Sequence, residues 1–203
     1  MLGEVERDGL VTTSGALPGD VLVLTKGIAI EGTAVLAREA GERLVKAGLA
    51  PDVIGRAAVF LFDPGISVVR EAQIAVAAAP VHAMHDPTEG GLATALAELA
   101  EASGCGIRLD VEAVPVLPET AAICRALALD PFGLLASGAL LLTVSPRDAA
   151  HVLEAFTRAG IPATVIGAVT PADEGVVCVA QGRAQPVPAF ARDELARWFD
   201  QRA

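Results

Sequence analysis

The sequence has few aromatic residues, no concentration of positive charge and no long apolar run. Six Phe and one Trp occur among 203 residues and Tyr is absent, so the core must be built from Ala, Val, Leu and Ile. The longest apolar stretches are strand-sized, well short of the roughly 20 residues that a membrane-spanning helix needs. The N-terminus shows neither a basic region nor a long apolar segment, which predicts no signal peptide and a cytoplasmic protein.

Charge and cysteine content argue against a nucleic-acid-binding protein and against a fold held by disulfides or cysteine-bound metal. The formal net charge is −10 and the isoelectric point is near 4.7, and no stretch concentrates Lys and Arg, so we expect no nucleic-acid partner. The cysteines Cys105, Cys124 and Cys178 are far apart and odd in number. They match neither a disulfide framework nor a metal-binding pair, and each is expected to be a small buried apolar residue.

The apolar periodicity predicts strands and helices that intermix without strict alternation. Strands are expected over 21–24, 81–84, 107–111, 139–144, 163–166 and 176–180, and helices over 32–46, from 51, over 68–79, 92–103, 118–127, 146–159 and 189–199. We expect Ser67 and Ser145 to cap the helices that follow them. No Gly/Ser/Pro tract divides the chain. The pattern is typical of a single α+β domain with a mixed sheet flanked by helices.

The sharpest motif is the segment 82–92, His-Ala-Met-His-Asp-Pro-Thr-Glu-Gly-Gly-Leu. It predicts a strand that enters a Gly-Gly turn and opens a helix, where free backbone N–H groups favour an anion. Gly90 and Gly91 would let a ligand approach the backbone, Thr88 adds a hydroxyl donor, and Asp86 is an acceptor for a ligand hydroxyl or orients His85. The alternative is an ordinary strand-to-helix connection in which Asp86 or Thr88 caps the helix.

Histidine positions raise a metal hypothesis that the spacing does not favour. His82, His85 and Asp86 supply three potential ligands, but they do not share a helical face and no second cluster completes a coordination shell. We therefore prefer a structural or hydrogen-bonding role and predict no metal site. His151 lies among apolar residues of a predicted helix and is expected to pack.

Two more Gly-containing turns carry polar residues. The segment 26–32 places Lys26 and Glu31 beside flexible backbone, and the segment 63–67 ends at a predicted helix N-terminus. Each such turn is more often structural than functional. Neither offers a nucleophile beside a base, so hydrolase chemistry is not indicated and no catalytic residue is assigned.

The order of motifs resembles the C-terminal domain of the AIR-synthase-related superfamily. The segments are 19–24 (Gly-Asp-Val-Leu-Val-Leu), 31–34 (Glu-Gly-Thr-Ala), 86–92 (Asp-Pro-Thr-Glu-Gly-Gly-Leu), Ser137-Gly138 before an apolar strand, and 166–169 (Ile-Gly-Ala-Val). This superfamily contains AIR synthase, the hydrogenase-maturation protein HypE, selenophosphate synthetase, thiamine monophosphate kinase and formylglycinamidine ribonucleotide synthase. The turn at 86–92 is most similar to that of HypE.

The resemblance implies an α+β domain with a mixed sheet, paired in full-length members with an N-terminal ATP-binding domain that uses ATP and magnesium. It divides the chain into an N-terminal arm or interdomain tail (1–17) and the C-terminal domain (18–203). By the same resemblance Asp86, Thr88, Gly90 and Gly91 line the cleft and contact phosphate or substrate. Further cleft-lining residues would be Lys26, Glu31, His85 and Ser137.

The same resemblance sets limits on activity. The acidic nucleotide site belongs to the N-terminal half, so no cofactor is expected on this domain alone, and an ATP-binding domain or chain is the expected partner beside a small-molecule substrate. HypE uses a C-terminal cysteine, whereas the last cysteine here is Cys178, so HypE's own chemistry is not expected. A domain without its partner should expose an apolar face, which predicts a homo-oligomer. The alternative is a non-catalytic ligand-binding or regulatory module.

Overall fold

The computed structural model describes residues 9–201, which form seven strands and eight α-helices. The strands are Val21–Thr25 (β1), Val81–His85 (β2), Gly106–Asp110 (β3), Leu141–Val144 (β4), Ala163–Thr170 (β5), Val176–Ala180 (β6) and Arg183–Pro186 (β7). The helices are Ile30–Glu39 (α1), Gly41–Lys46 (α2), Pro51–Ala58 (α3), Val69–Ala78 (α4), Gly91–Ser103 (α5), Pro118–Leu127 (α6), Ala149–Arg158 (α7) and Glu194–Asp200 (α8).

All seven strands join one mixed sheet in the order β2-β4-β1-β5-β3-β6-β7. Every neighbouring pair is antiparallel except β3 and β6, which are parallel. The interior strand β1 is buried, and both of its faces are apolar, as a strand covered on two sides requires. The expected α+β fold with a mixed sheet and flanking helices is therefore confirmed.

Side chains along β1 point alternately to the two faces of the sheet, and each face has its own apolar cluster. Leu22 and Leu24 point to the side that α5 covers, where Leu96 packs with them. Val23 points the other way, into a cluster with Phe156 of α7. A third cluster joins α1, α2, α3, α6 and α8 around the fully buried Trp198.

Three predicted helices have different bounds in the structure. The helix expected over 32–46 is two helices, because Ala40 (φ −107°, ψ 10°) leaves the helical conformation and the weak helix former Gly41 follows it. α7 begins at Ala149 rather than after Ser145, whose hydroxyl donates to Asp148 Oδ2 at 2.7 Å instead of capping. α8 begins at Glu194, since Asp193 is its N-cap.

Smaller differences have local causes. Ser67 does not cap α4, which starts at Val69 with no side-chain cap; instead the Ser67 carbonyl accepts a hydrogen bond from Lys26. β7 was not predicted because it is short, polar and exposed and ends in Pro186, a composition that is tolerated at a sheet edge. His151 is exposed, so its expected packing role is wrong. All three cysteines are buried, as predicted.

The N-terminal arm predicted over 1–17 lies partly outside the described residues, since the description begins at residue 9. Its described part packs on the β2 edge of the sheet and on α5. Thr13 Oγ1 donates to the Met84 carbonyl (3.1 Å), and the Thr13 carbonyl accepts from Ser103 Oγ (2.9 Å). Gly15 lies so close to the His82 carbonyl that no side chain would fit there. Among residues 9–201, no helix has both the length and the apolar composition to cross a bilayer.

Candidate functional site

Three loops that carry predicted site residues meet at one end of the sheet. β2 ends at His85 and β1 ends at Thr25, while β4 begins at Leu141. Because Leu141 pairs with both His85 and Leu24, these strand ends lie side by side. The loops that extend from them, 86–90, 26–29 and 134–140, are therefore neighbours.

Backbone hydrogen bonds hold the loops together around residues 135–137. The Thr88 carbonyl accepts from the Ala136 amide at 3.1 Å. The Glu31 amide donates to the Ser137 carbonyl at 3.3 Å, and the Gly32 amide donates to the Leu135 carbonyl at 3.0 Å. These bonds bring together three predicted site residues, Thr88, Ser137 and Glu31. The two that are farthest apart in sequence, Glu31 and Ser137, are separated by 106 positions.

Exposure separates the residues that face solvent from those that build the loop. Asp86 and Thr88 are exposed, whereas Pro87 between them is buried. Glu31 and Ser137 are half-buried. A buried proline anchors the turn, so the flanking carboxylate and hydroxyl are presented from a fixed backbone.

The Gly-Gly turn requires glycine at both positions. Gly90 (φ +77°) is the left-handed N-cap of α5, and Gly91 (φ +66°) opens the helix. A Cβ on Gly90 would overlap the Thr94 side chain. A Cβ on Gly91 would overlap the Phe132 carbonyl and lie 2.9 Å from the Leu134 carbonyl. The glycines therefore serve close packing against the 132–134 segment as well as a left-handed backbone.

One amide of the predicted anion site is already bound to a carboxylate of the chain. The Gly90 amide donates to Asp193 Oδ2 at 2.7 Å, and Asp193 Oδ1 accepts from the Leu195 amide at 2.7 Å. A single side chain thus joins the N-terminal ends of α5 and α8. Sequence reasoning missed Asp193 as a contact of the turn, although an Asp followed by Glu is a typical start of a helix.

Lys26 lies inside the protein rather than on an open surface. It adopts a left-handed backbone (φ +57°) and is 8% exposed. Its Nζ forms an ion pair with Glu71 at 2.9 Å and donates to the carbonyls of Gly65 (3.0 Å) and Ser67 (2.9 Å). All three ammonium donors are used, so Lys26 fixes the 63–67 turn and offers no charge to a ligand.

The two histidines of the motif have separate carboxylate partners. His85 Nε2 lies 2.9 Å from Glu98 Oε2, and His82 Nδ1 lies 2.8 Å from Asp20 Oδ2. These contacts agree with the hydrogen-bonding role preferred from the sequence. Within residues 9–201, no group of three His, Cys, Asp or Glu side chains is arranged to hold a metal ion.

A cavity of about 600 Å³ lies next to the Gly-Gly turn. Glu89 and Gly90 form its near side, and the segment 190–199 forms its far side with Phe190, Arg192 and Asp193. Its size is in the range of small-molecule sites. The turn therefore borders a space that a ligand of moderate size would fill.

Curated relatives match this chain over most of its own length but only about half of theirs. Carbamoyl dehydratase HypE from Rhizobium leguminosarum bv. viciae is 32% identical over 195 residues, which is 95% of this chain and 51% of the relative. Carbamoyl dehydratase HypE from Cupriavidus necator is 35% identical over 76% of this chain and 41% of the relative. The chain thus spans about half the length of the curated relatives it matches.

Solved structures share the fold. A crystal structure of hydrogenase maturation protein HypE superposes with a TM-score of 0.76 at 25% identity, covering 97% of this chain and 60% of HypE. HypE in complex with ATP superposes with a TM-score of 0.68 at 23% identity, covering 95% of this chain and 57% of that HypE chain. AaThiL complexed with AMPPCP and TMP superposes with a TM-score of 0.60 at 21% identity, covering 85% of this chain and 51% of AaThiL.

A family model identifies the region that carries the motifs. The model for the C-terminal domain of AIR synthase related proteins matches residues 18–180, which include β1 through β6 and the whole Gly-Gly turn. Since this match covers most of the chain, the chain belongs to the AIR synthase related protein family, as a C-terminal domain of that family.

Proposed function

We propose that this chain is the substrate-side domain of a HypE-like, ATP-dependent enzyme whose ATP-binding half lies on another segment or chain. Two facts support the proposal: the family match and the half-length coverage of the HypE relatives. In this proposal residues 1–17 form an arm or interdomain tail, and residues 18–203 form the working domain. The enzyme would be of the phosphorylating ligase or synthase type.

The observation that carries the proposal is the convergence of the 86–90, 26–29 and 134–140 loops with the start of α1. Thr88, Ser137 and Glu31 are linked through the backbone of residues 135–137, while the Thr88 and Asp86 side chains face solvent. Loops at one end of a sheet, held by a rigid scaffold, are where binding residues are commonly placed. We infer that Asp86 and Thr88 contact the substrate or its phosphate, with Glu31 and Ser137 beside them.

We propose different roles for four other residues. Gly90 and Gly91 shape the turn through their left-handed backbone, and the Gly90 amide is held by Asp193. Lys26 acts through the 63–67 turn and not through a free charge. His85 would orient the turn through its contact with Glu98.

In this proposal ATP and magnesium bind to the ATP-binding half. The described residues contain no group of three His, Cys, Asp or Glu side chains arranged to hold a metal ion. Relatives of this fold have been crystallised with ATP and with AMPPCP. When bound to the other half, ATP would supply the phosphoryl group, and this chain would bind and orient the acceptor.

A fusion protein tests the proposal. This chain replaces the matching half of HypE from Rhizobium leguminosarum, and ATP hydrolysis is measured with magnesium. We expect turnover that falls about tenfold in Thr88→Ala, as loss of one hydrogen bond to a charged group implies. Thr157→Ala, an exposed threonine on α7, is the matched control and should leave turnover unchanged. Equal turnover in both variants would rule out the assigned role of Thr88.

A ligand-binding or regulatory module is the second candidate. The observation in its favour is the occupied Gly90 amide, which leaves the turn without its full set of free donors. The neighbouring reading frame discriminates between the two functions. An adjacent acidic, Gly-rich ATP-binding half supports the enzyme, and its lack supports the module.

A further inference from the structure

A second and larger cavity, of about 740 Å³, lies on the inner face of the β3-β6-β7 part of the sheet. Leu109 and Cys178 belong to its sheet side, the 128–132 loop forms a second side, and α8 closes it with Glu194 and Arg197. Its lining is mostly apolar, with a small polar end, which is the usual composition of a small-molecule site.

This cavity is separate from the Gly-Gly site. None of the site residues proposed above lines it. Part of its wall, including Gln185, Pro188 and the α8 residues, follows residue 180, where the family match ends. The cavity therefore depends in part on a segment that lies outside the matched residues 18–180.

The polar end of the cavity carries an excess of negative charge. Arg197 is committed to Glu194, to which Nε donates at 2.7 Å, and its Nη2 also donates to the Ala128 carbonyl at 3.0 Å. Glu194 is 5% exposed and also accepts the Asp130 amide at 3.0 Å. The Arg197 charge is thus balanced by Glu194, and Asp130 is left as the second carboxylate.

Asp130, which lines the cavity, retains acceptor capacity. Its Oδ1 accepts the Phe132 amide at 2.9 Å, while its Oδ2 accepts no hydrogen bond from the described residues. Phe132 and Pro131 lie beside it in the cavity lining and provide flat apolar surface. A carboxylate next to an aromatic face suits a cation carried on a planar ring.

We propose that this cavity binds a small planar organic cation, an aromatic amidine, amine or protonated heterocycle, with its charged group on Asp130 and its ring against Phe132. This inference does not rest on the function proposed for the Gly-Gly turn. The class of ligand follows from the lining alone: an apolar body, one uncompensated carboxylate and a volume that suits a single small molecule.

Benzamidine is the probe, and its binding to the full chain is followed by the backbone amide signals in ¹⁵N NMR spectra. We expect saturable shifts at Ala180 and Gln185, which line the cavity, and none with benzoate, which has the same ring and the opposite charge. Asp130→Asn keeps an oxygen for the Phe132 amide but removes the charge. It should weaken benzamidine binding about fivefold, as loss of one charge-assisted hydrogen bond implies.

Two tryptophan variants test the location. Ala180→Trp fills the cavity and should abolish binding, whereas Ala184→Trp, on the opposite face of the same hairpin, should not. If Ala180→Trp does not fold, as judged by its amide dispersion, the Asp130→Asn comparison decides. Absence of saturable shifts, equal binding of benzoate, or binding that Asp130→Asn leaves unchanged would each overturn the proposal.

Discussion

Two glycines differ in what an added side chain would cost the fold. Gly91 has a positive φ and no space for a Cβ, so Gly91→Ala should lower the free energy of unfolding by about 2–4 kcal/mol. Gly55 lies within helix α3 with open space around it, and Gly55→Ala should raise that free energy by roughly 0.5–1 kcal/mol. Chemical denaturation of both variants provides the measurement, and equal effects would contradict the packing described for Gly91.

The buried pair of Lys26 and Glu71 gives a second prediction at this scale. Both side chains are 6% exposed, and neutralising one leaves the other charge unpaired in the core. Glu71→Gln should therefore destabilise the fold by about 3–5 kcal/mol. Glu154→Gln, which removes an exposed pair with Arg158, should change stability by less than roughly 0.5 kcal/mol.

Thiol reactivity offers a third test. Burial is the main cause that raises the pKa of the Cys124 thiol to about 12, with Asp130 and Glu194 adding to the shift. The thiolate is the reactive form, so native Cys124 should resist alkylation at pH 8 and react fully in denaturant. Peptide mass spectrometry after iodoacetamide treatment distinguishes the sites. Fast native alkylation of Cys124 would show that this part of the core opens readily.

At the scale of elements, the joint between α5 and α8 is the feature that most affects the site. Asp193 accepts amide hydrogen bonds from Gly90 and Leu195, one at each helix N-terminus. Asp193→Ala should therefore cost about 1–2 kcal/mol of stability, while Asp193→Asn should retain most of it. Hydrogen exchange adds a local test, because Gly90 should exchange faster in Asp193→Ala. Unchanged Gly90 exchange would mean that the carboxylate does not hold the turn.

The same helix start makes stability depend on pH. A hydrogen bond from Arg197 is the main cause that lowers the pKa of Glu194 below its usual value of 4.5. A carboxyl group with a lowered pKa in the folded state stabilises the fold above its unfolded pKa, and this contribution is lost as the pH falls through the folded value. The melting temperature should therefore drop more steeply below about pH 4.5 in the native chain than in Glu194→Gln. Parallel curves for the two proteins would contradict the assignment.

Proline and glycine signals in the sequence correctly predicted the helix ends that they mark. α6 has its expected bounds because Pro118 fixes the helix start, and α5 ends as expected because Gly104 adopts the left-handed conformation. The α1–α2 break at Ala40 has no proline to mark it. Leu36 and Leu44 lie eight positions apart, as on one face of a continuous helix, so the apolar pattern did not reveal the break. β7 is specified by pairing with β6 and not by its own residues.

In the candidate site, too, contiguous motifs could be predicted from the sequence and long-range contacts could not. The Gly-Gly turn, with Asp86 and Thr88, is contiguous in sequence and was found from it. The contact of Gly90 with Asp193 spans 103 positions, and that of Lys26 with Glu71 spans 45, as their residue numbers show. Such pairs depend on how α8 and the 63–67 turn fold back, which no local pattern encodes. Lys26 was expected to line the cleft, and its burial in an ion pair with Glu71 could not be predicted for this reason.

At the scale of the whole molecule, the segment 59–69 exposes apolar side chains beside the site loops, which favours self-association. Val59, Phe62, Ile66 and Val69 are exposed, and Phe62 reaches 78%. The Lys26 contacts hold the 65–67 part of this segment in place. We predict self-association that Phe62→Ser weakens, measured by analytical ultracentrifugation, with Val45→Ser on α2 as the control. A strict monomer at high concentration would contradict this prediction.

The central claim is that this domain supplies the substrate side of an enzyme and leaves ATP to another half. Isothermal titration calorimetry with ATP and magnesium tests it most directly, on the chain alone and on the fusion with the ATP-binding half of HypE. We predict no measurable heat of binding for the chain alone and saturable binding for the fusion. Tight binding of ATP by the chain alone would contradict the division of labour proposed here.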